Sequence, residues 1–410
     1  MRSLLIDHIL PLSVVCGILV IVFVCWGLPE TIAPWGTELP TQVQTEPSPN
    51  YIPALRSSRE HEEMIKFALR SGTLIILGSS ELAENSDAVS YRFIPATYHF
   101  PVLGVGHAGY QSLAILSTLG CMAGKLHHAR LLMIISPGWF EDLSSGGTTV
   151  DLFLENLSGN MLRDMILTEE LPVVFKYYIA AYIAEKYNTI SRSSAPLRYL
   201  YHLGISEKNI FFSVIHYPFL KWNRWLLTHP FGLLVQKKQL ENQIPELASQ
   251  IVYSPEPARD VEFVNWDSLM TVSSALSYSR STNNRWGISD DYYTTYIHGN
   301  TGRIKPVSPG QNQELQDFGM LVALLKTFNC RATFVIQPLN PFYFQTLPLL
   351  QPTIQAVVDT ITTAGFPCLN LFETDSTFYN KAMLRDVMHM DDYAWYIVNQ
   401  FIEDQYIKNE

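Results

Sequence analysis

The segment TLIILGSSEL, residues 73–82, decides the fold. An unbroken apolar run, Leu74 to Leu77, meets a glycine and then a small polar tip. A run of this length between breakers fits a strand buried on both faces, and such strands belong to parallel sheets. Similar runs recur at 101–105 (PVLGV), 130–136 (RLLMIIS), 332–338 (ATFVIQP) and 367–372 (PCLNLF). Stretches with helical character lie among them, at 57–71, 110–125 and 313–327. Strands alternating with helices predict an α/β core built on a doubly wound parallel sheet. In such sheets ligands bind at the carboxyl ends of the strands, so the residues just after each run carry the chemistry.

The alternation stops over residues 141–310. This part is rich in aromatic, helical-looking stretches such as FKYYIAAYIAEKY (175–187), and it reads as a large helical insertion or cap. Within it, HYPFLKWNRWLL (216–227) mixes Trp, Phe and Leu with Lys and Arg; it reads as helical core or as a membrane-surface segment. Asn156-Leu157-Ser158 matches the N-glycosylation pattern. The chain thus divides into an anchor (1–28), a juxtamembrane linker and helix (29–70), a first core part (71–140), the insertion (141–310) and a second core part (311–410).

The anchor is the run ILPLSVVCGILVIVFVCWGL, Ile9 to Leu28, which carries no charge. Twenty apolar residues in a helix cross about 30 Å of hydrocarbon. Its end, Cys25-Trp26-Gly27-Leu28-Pro29, lacks the small-x-small pattern of a cleaved signal. Arg2 and the amino terminus precede the run, while Glu30, Glu38 and Glu46 follow it. The expectation is one transmembrane helix with the amino terminus in the cytoplasm and the body outside the cell membrane.

The chain has 410 residues, 16% of them charged, and a net charge of −10. That balance argues against a nucleic-acid partner, since no basic block offsets it. Five cysteines without a CxxC pair, and no metal-ligand spacing, call for no metal and no cofactor. Cys330 and Cys368 stand at the starts of two expected strands; they read as a pair or as two separate buried thiols.

The first strand ends Gly78-Ser79-Ser80-Glu81. A serine there either caps the next helix or presents its hydroxyl to a substrate beside helix N-terminal N–H groups. A nucleophilic hydroxyl needs a base, and the base needs an orienting carboxylate. Of the eleven histidines, only His389 has an acid three positions earlier, Asp386. Asp391 and Asp392 are the other candidate orienters. His107 lacks a visible acid and reads as structural.

GSSE near the start and DxxH before the last helix resemble the SGNH hydrolase superfamily. More narrowly, the chain resembles the D-alanyl transfer protein DltD family. Four segments carry the closer likeness: LGVGHAGYQSL (103–113), ISPGWF (135–140), NRWGISDDYYTTYI (284–297) and FVIQPLNPFYF (334–344). They stand in the family's order over almost the whole chain. The resemblance implies an SGNH-hydrolase-like, flavodoxin-like fold and acyl transfer, with Ser80 as nucleophile, His389 as base and Asp386 as its partner. It implies an oxyanion hole from the backbone N–H groups of Ser80 and Gly109. Glu81, Trp139, Gln337 and Asn340 are the further substrate-binding candidates. It also implies D-alanylation of teichoic acid, a DltB-like membrane-bound O-acyltransferase as partner and, upstream, a DltC-like phosphopantetheine carrier protein. Two features depart from the family. Gly138 stands where the third block usually has Gln, and ENSDAVSYRFIP (84–95) lacks the usual His-Pro pair. They keep two other readings open: an esterase, thioesterase or O-acetyl transferase on another envelope glycan, and a non-catalytic scaffold.

Overall fold

A computed structural model describes residues 50–52, 59–141, 153–154, 156–157, 159–186, 200, 203 and 264–408. The apolar runs form a six-stranded sheet: β1 (Tyr51–Ile52), β2 (Leu74–Gly78), β3 (Val102–Gly106), β4 (Arg130–Ile135), β5 (Arg331–Ile336) and β6 (Cys368–Asn370). Every pairing is parallel, in the order β1-β3-β2-β4-β5-β6. The five expected strands are all present. β1 is an addition: it lies inside the stretch expected as linker, and Tyr51 pairs with Gly104.

Among the described residues nine α-helices of eight residues or more accompany the strands: α1 (Arg59–Ser71), α2 (Ser90–Tyr98), α3 (Ser112–Gly120), α4 (Gly159–Leu167), α5 (Val173–Lys186), α6 (Trp266–Arg280), α7 (Gln313–Thr327), α8 (Gln351–Ala364) and α9 (Asp392–Ile402). The sheet is covered on both faces because its side chains alternate. Ile75, Leu77, Leu131 and Met133 enter one apolar layer with α1, α3, α7 and α8, and with α4 and α5 of the insertion. Leu74, Ile76, Leu132 and Ile134 enter the other, with α2, α6 and α9. Most β2 to β5 side chains are thereby fully buried, as continuous apolar runs require.

Setting the short β1 aside, the strand order reverses between β2 and β4, which is the switch point of a doubly wound sheet. β2 and β3 approach closely at this edge. A Cβ on Gly106 would lie 2.1 Å from the Gly78 carbonyl oxygen, so only glycine fits.

Cys121, Cys330 and Cys368 are free thiols. Cys330 donates to the Leu126 carbonyl at 3.2 Å, and burial pushes its thiol up to about 12. The two thiols are separate, Cys330 buried and Cys368 only partly so. Among the described residues no helix is long and apolar enough to cross a membrane. The expected span at 9–28 and the segment 216–227 lie outside the described residues, as does much of 141–310.

Candidate active site

β2 ends at Gly78 and the chain turns at once into a short 3-10 turn, Ser80–Ala83. That turn stands at the carboxyl edge of the sheet, beside the switch point. Ser79 does not cap it with its side chain. Instead Ser79 Oγ accepts the Gly109 N–H at 3.1 Å, and Ser79 N–H donates to Glu81 Oε1 at 2.5 Å. Glu81 is only 1% exposed, and its carboxylate turns inward beneath the turn. A Cβ at residue 78 would come within 2.6 Å of Glu81 Oε1, so the glycine makes room for the carboxylate. Burial pushes the Glu81 carboxyl up to about 7, although the Ser79 N–H, its own N–H and His389 work in the other direction.

The loop after β6 brings the other end of the chain to the same edge. His389 Nε2 lies 2.9 Å from Ser80 Oγ, and His389 Nδ1 lies 2.7 Å from Asp386 Oδ2. With the ring proton on Nδ1, His389 donates to Asp386 and the serine hydroxyl donates to Nε2. Asp386 Oδ1 accepts the backbone N–H groups of Met388 and His389, both at 2.8 Å. The carboxylate is thus held from two sides. Burial opposes its charge, but the His389 bond and charge and these N–H groups hold it below the usual aspartate range. For His389, burial pulls the imidazole down; the bond and charge of Asp386, with Glu84 and Glu81 behind them, outweigh it and raise it.

The loop itself is a closed unit. Leu384 bridges Met390, and Arg385 N–H donates to the His389 carbonyl at 3.0 Å. The two other candidate orienters are engaged elsewhere. Both carboxylate oxygens of Asp391 accept from Nη2 of Arg280 on α6, at 3.0 and 2.8 Å, and Asp392 accepts from Ser86 Oγ at 2.6 Å.

The remaining sequence candidates take different places. Gly109, at φ 79°, uses the freedom of glycine, and its N–H is bonded to Ser79 Oγ rather than left free. Ser80, first in its turn, has no intrahelical acceptor for its N–H. Trp139 is buried in the core layer of α3 and α7. Asn340 is fully buried and ties three loops: its side-chain amide donates to the Trp286 carbonyl and its oxygen accepts from the N–H groups of Phe342 and Tyr343. Its backbone N–H donates to the Val387 carbonyl, which braces the His389 loop. Gln337 is buried at the end of β5, with its Oε1 unpartnered among the described residues. Gly138 has open space: a Cβ there would meet only Ser136 Oγ, at 3.5 Å.

Three features escaped the sequence reading. Asn156 of the glycosylation pattern is buried, its amide oxygen 2.7 Å from His107 Nε2, so it joins the insertion to the segment before Gly109. Trp286, Ile288 and Ile297 pack around Val387, forming an apolar support for the His389 loop. Glu84 stands one turn beyond Ser80, bonded to Arg385 Nη1 at 3.3 Å. Each depends on a contact distant in sequence, so no local pattern signals it.

This is an α/β protein in which a serine, a histidine and an aspartate stand in hydrogen-bonded series at the carboxyl edge of its parallel sheet. The model of one family, described as DltD protein, matches residues 55–407. The match covers most of the chain, which therefore belongs to the DltD family, the D-alanyl transfer proteins of teichoic acid D-alanylation. No curated protein matches the chain.

Proposed function

We propose that the chain is a membrane-anchored, extracytoplasmic serine acyltransferase of the SGNH type. One observation carries this reading: Ser80 Oγ, His389 and Asp386 stand in hydrogen-bonded series at 2.9 and 2.7 Å. In this mechanism His389 Nε2 takes the Ser80 proton while Oγ attacks an ester or thioester carbonyl. The tetrahedral oxyanion rests on backbone N–H groups. Ser80 supplies one of these, and Gly109 supplies another once it exchanges Ser79 Oγ for the substrate. Collapse expels the alcohol or thiol with the proton returned by His389, leaving D-alanyl-Ser80. An acceptor hydroxyl, deprotonated by His389, then takes the alanyl group and frees the serine.

The acceptor on this reading is teichoic acid. The donor side is a DltB-like membrane-bound O-acyltransferase, with a DltC-like carrier upstream. The span at 9–28 would hold the body at the outer face of the cell membrane. Gly138 favours keeping a second reading, an esterase or transferase of another envelope acyl group. A Cβ at that position would meet only Ser136 Oγ, so the space a Gln would fill is open.

The test is labelling of the full-length chain in membranes with a serine-reactive fluorophosphonate. Labelling lost in both Ser80→Ala and His389→Ala supports an activated nucleophile. Equal labelling of wild type and Ser80→Ala sinks the reading. Unchanged envelope D-alanine in cells carrying only Ser80→Ala would favour the scaffold instead.

A further inference from the structure

Four of the carboxylates around the relay are already engaged. Asp386 serves His389, Asp391 is clamped by Arg280, and Asp392 accepts from Ser86. Glu81 is buried and takes the Ser79 N–H. Glu84 differs. Its side chain is 20% exposed, and its one bond among the described residues is the long, single contact to Arg385 Nη1 at 3.3 Å. Arg385 is itself 49% exposed, and its backbone N–H bonds the His389 carbonyl. Glu84 closes the turn that begins with Ser80, and its partly exposed carboxylate lies near enough to His389 for the two charges to interact. A bidentate arginine fork would satisfy this carboxylate; a single 3.3 Å bond leaves acceptor capacity to spare.

We infer that Glu84 is the specificity residue that receives the α-ammonium of the aminoacyl group, with Arg385 holding the carboxylate in place until substrate arrives. The inference rests on the acyl-transfer reading above. In an aminoacyl ester the ammonium nitrogen lies about 2.5 Å from the carbonyl carbon. When Ser80 Oγ attacks that carbon, the ammonium is therefore within one side chain's length of the oxygen. An anion is needed near the nucleophile, on the open side of the site. Glu81, the acid adjacent to Ser80 in sequence, faces the interior and cannot meet it; Glu84 can. The pairing also explains why a carboxylate is tolerated beside the Asp386–His389 pair. Arg385 balances it in the free protein, and the substrate's positive charge balances it in the complex.

The experiment uses two phosphonate diphenyl esters that phosphonylate an activated serine: Oγ forms a bond to phosphorus and one phenol leaves. One carries a 1-aminoethyl group, so that phosphorus replaces the alanyl carbonyl carbon. The other carries 1-hydroxyethyl in place of the amine. Second-order labelling rates are measured on the full-length chain in detergent by intact mass. The wild type should favour the amine at least tenfold. Glu84→Gln should bring the ratio of the two rates close to one, Glu84→Asp should retain part of it, and Arg385→Gln should raise it. The ratio cancels any effect of Glu84 on His389, which touches both probes alike. A wild-type ratio near one, or a ratio unchanged in Glu84→Gln and Arg385→Gln while Ser80→Ala abolishes labelling, overturns the role of Glu84 and leaves the nucleophile standing. Absence of labelling by either probe in wild type overturns both.

Discussion

His389 Nε2 reaches Ser80 Oγ at 2.9 Å across 309 positions of sequence. The contact exists because both residues lie on connections that leave the carboxyl edge of one parallel sheet, Ser80 directly after β2 and His389 on the loop after β6. His389 is held by its own loop: Asp386 accepts from the His389 ring and from two N–H groups of the same turn.

Asp386→Asn tests whether the carboxylate matters through charge and tautomer rather than shape. The amide keeps the size but does not hold Nδ1–H toward it. Labelling of Ser80 should fall on the order of 10³–10⁴-fold, with the melting temperature little changed. A loss below tenfold would remove Asp386 from the relay.

The pH profile follows from the raised imidazole of His389. The base must be neutral to accept a proton. Reaction is therefore lost as pH falls through the folded-state pKa, which lies above the ordinary 6.5. The acid limb of the labelling rate should fall above pH 6.5 in wild type. In the residual activity of Asp386→Asn it should move to lower pH. A limb at or below 6.5 in wild type contradicts the pairing.

Glu81 couples the turn to pH through stability. Its folded carboxyl is raised to about 7 against an ordinary 4.5, so the unfolded chain gives up its proton first as pH rises. This group therefore costs nothing below pH 4.5 and progressively destabilises the fold up to and beyond pH 7, on the order of a few kcal/mol at full ionisation. Glu81→Gln removes that slope. Urea unfolding at pH 5 and pH 8 should show a smaller loss on raising the pH in the variant than in wild type. Equal losses would refute the buried, protonatable carboxyl.

Gly106→Ala should be severely destabilising, because its Cβ would sit 2.1 Å from the Gly78 carbonyl oxygen and force β2 from β3 beside Ser80. Gly310→Ala is the control: its Cβ meets nothing within 4 Å. Thermal unfolding should separate the two by several degrees, with labelling of Ser80 lost in the first. Equal melting temperatures would show that the strands part freely.

The apolar runs at 73–77, 101–105, 130–136, 332–338 and 367–372 determined the parallel sheet by themselves, because burial on both faces demands unbroken apolar sequence. The GSSE turn and the DxxH pair were likewise legible as residues, since nucleophile, base and orienter chemistry restricts them to few types. The two residues of β1 were not legible. So short a strand has no pattern of its own and is held by its pairing to β3. Only the tertiary structure decided which acid serves which purpose. The DxxH spacing singled out Asp386, but Asp391 and Asp392 also stand near His389, and Arg280 and Ser86, far away in the chain, draw those two off. The same holds for Glu81 and Glu84: three positions separate them, yet one is sealed beneath the turn and the other is partly exposed. Direction relative to the sheet edge is a property of packing, and no single sequence position encodes it.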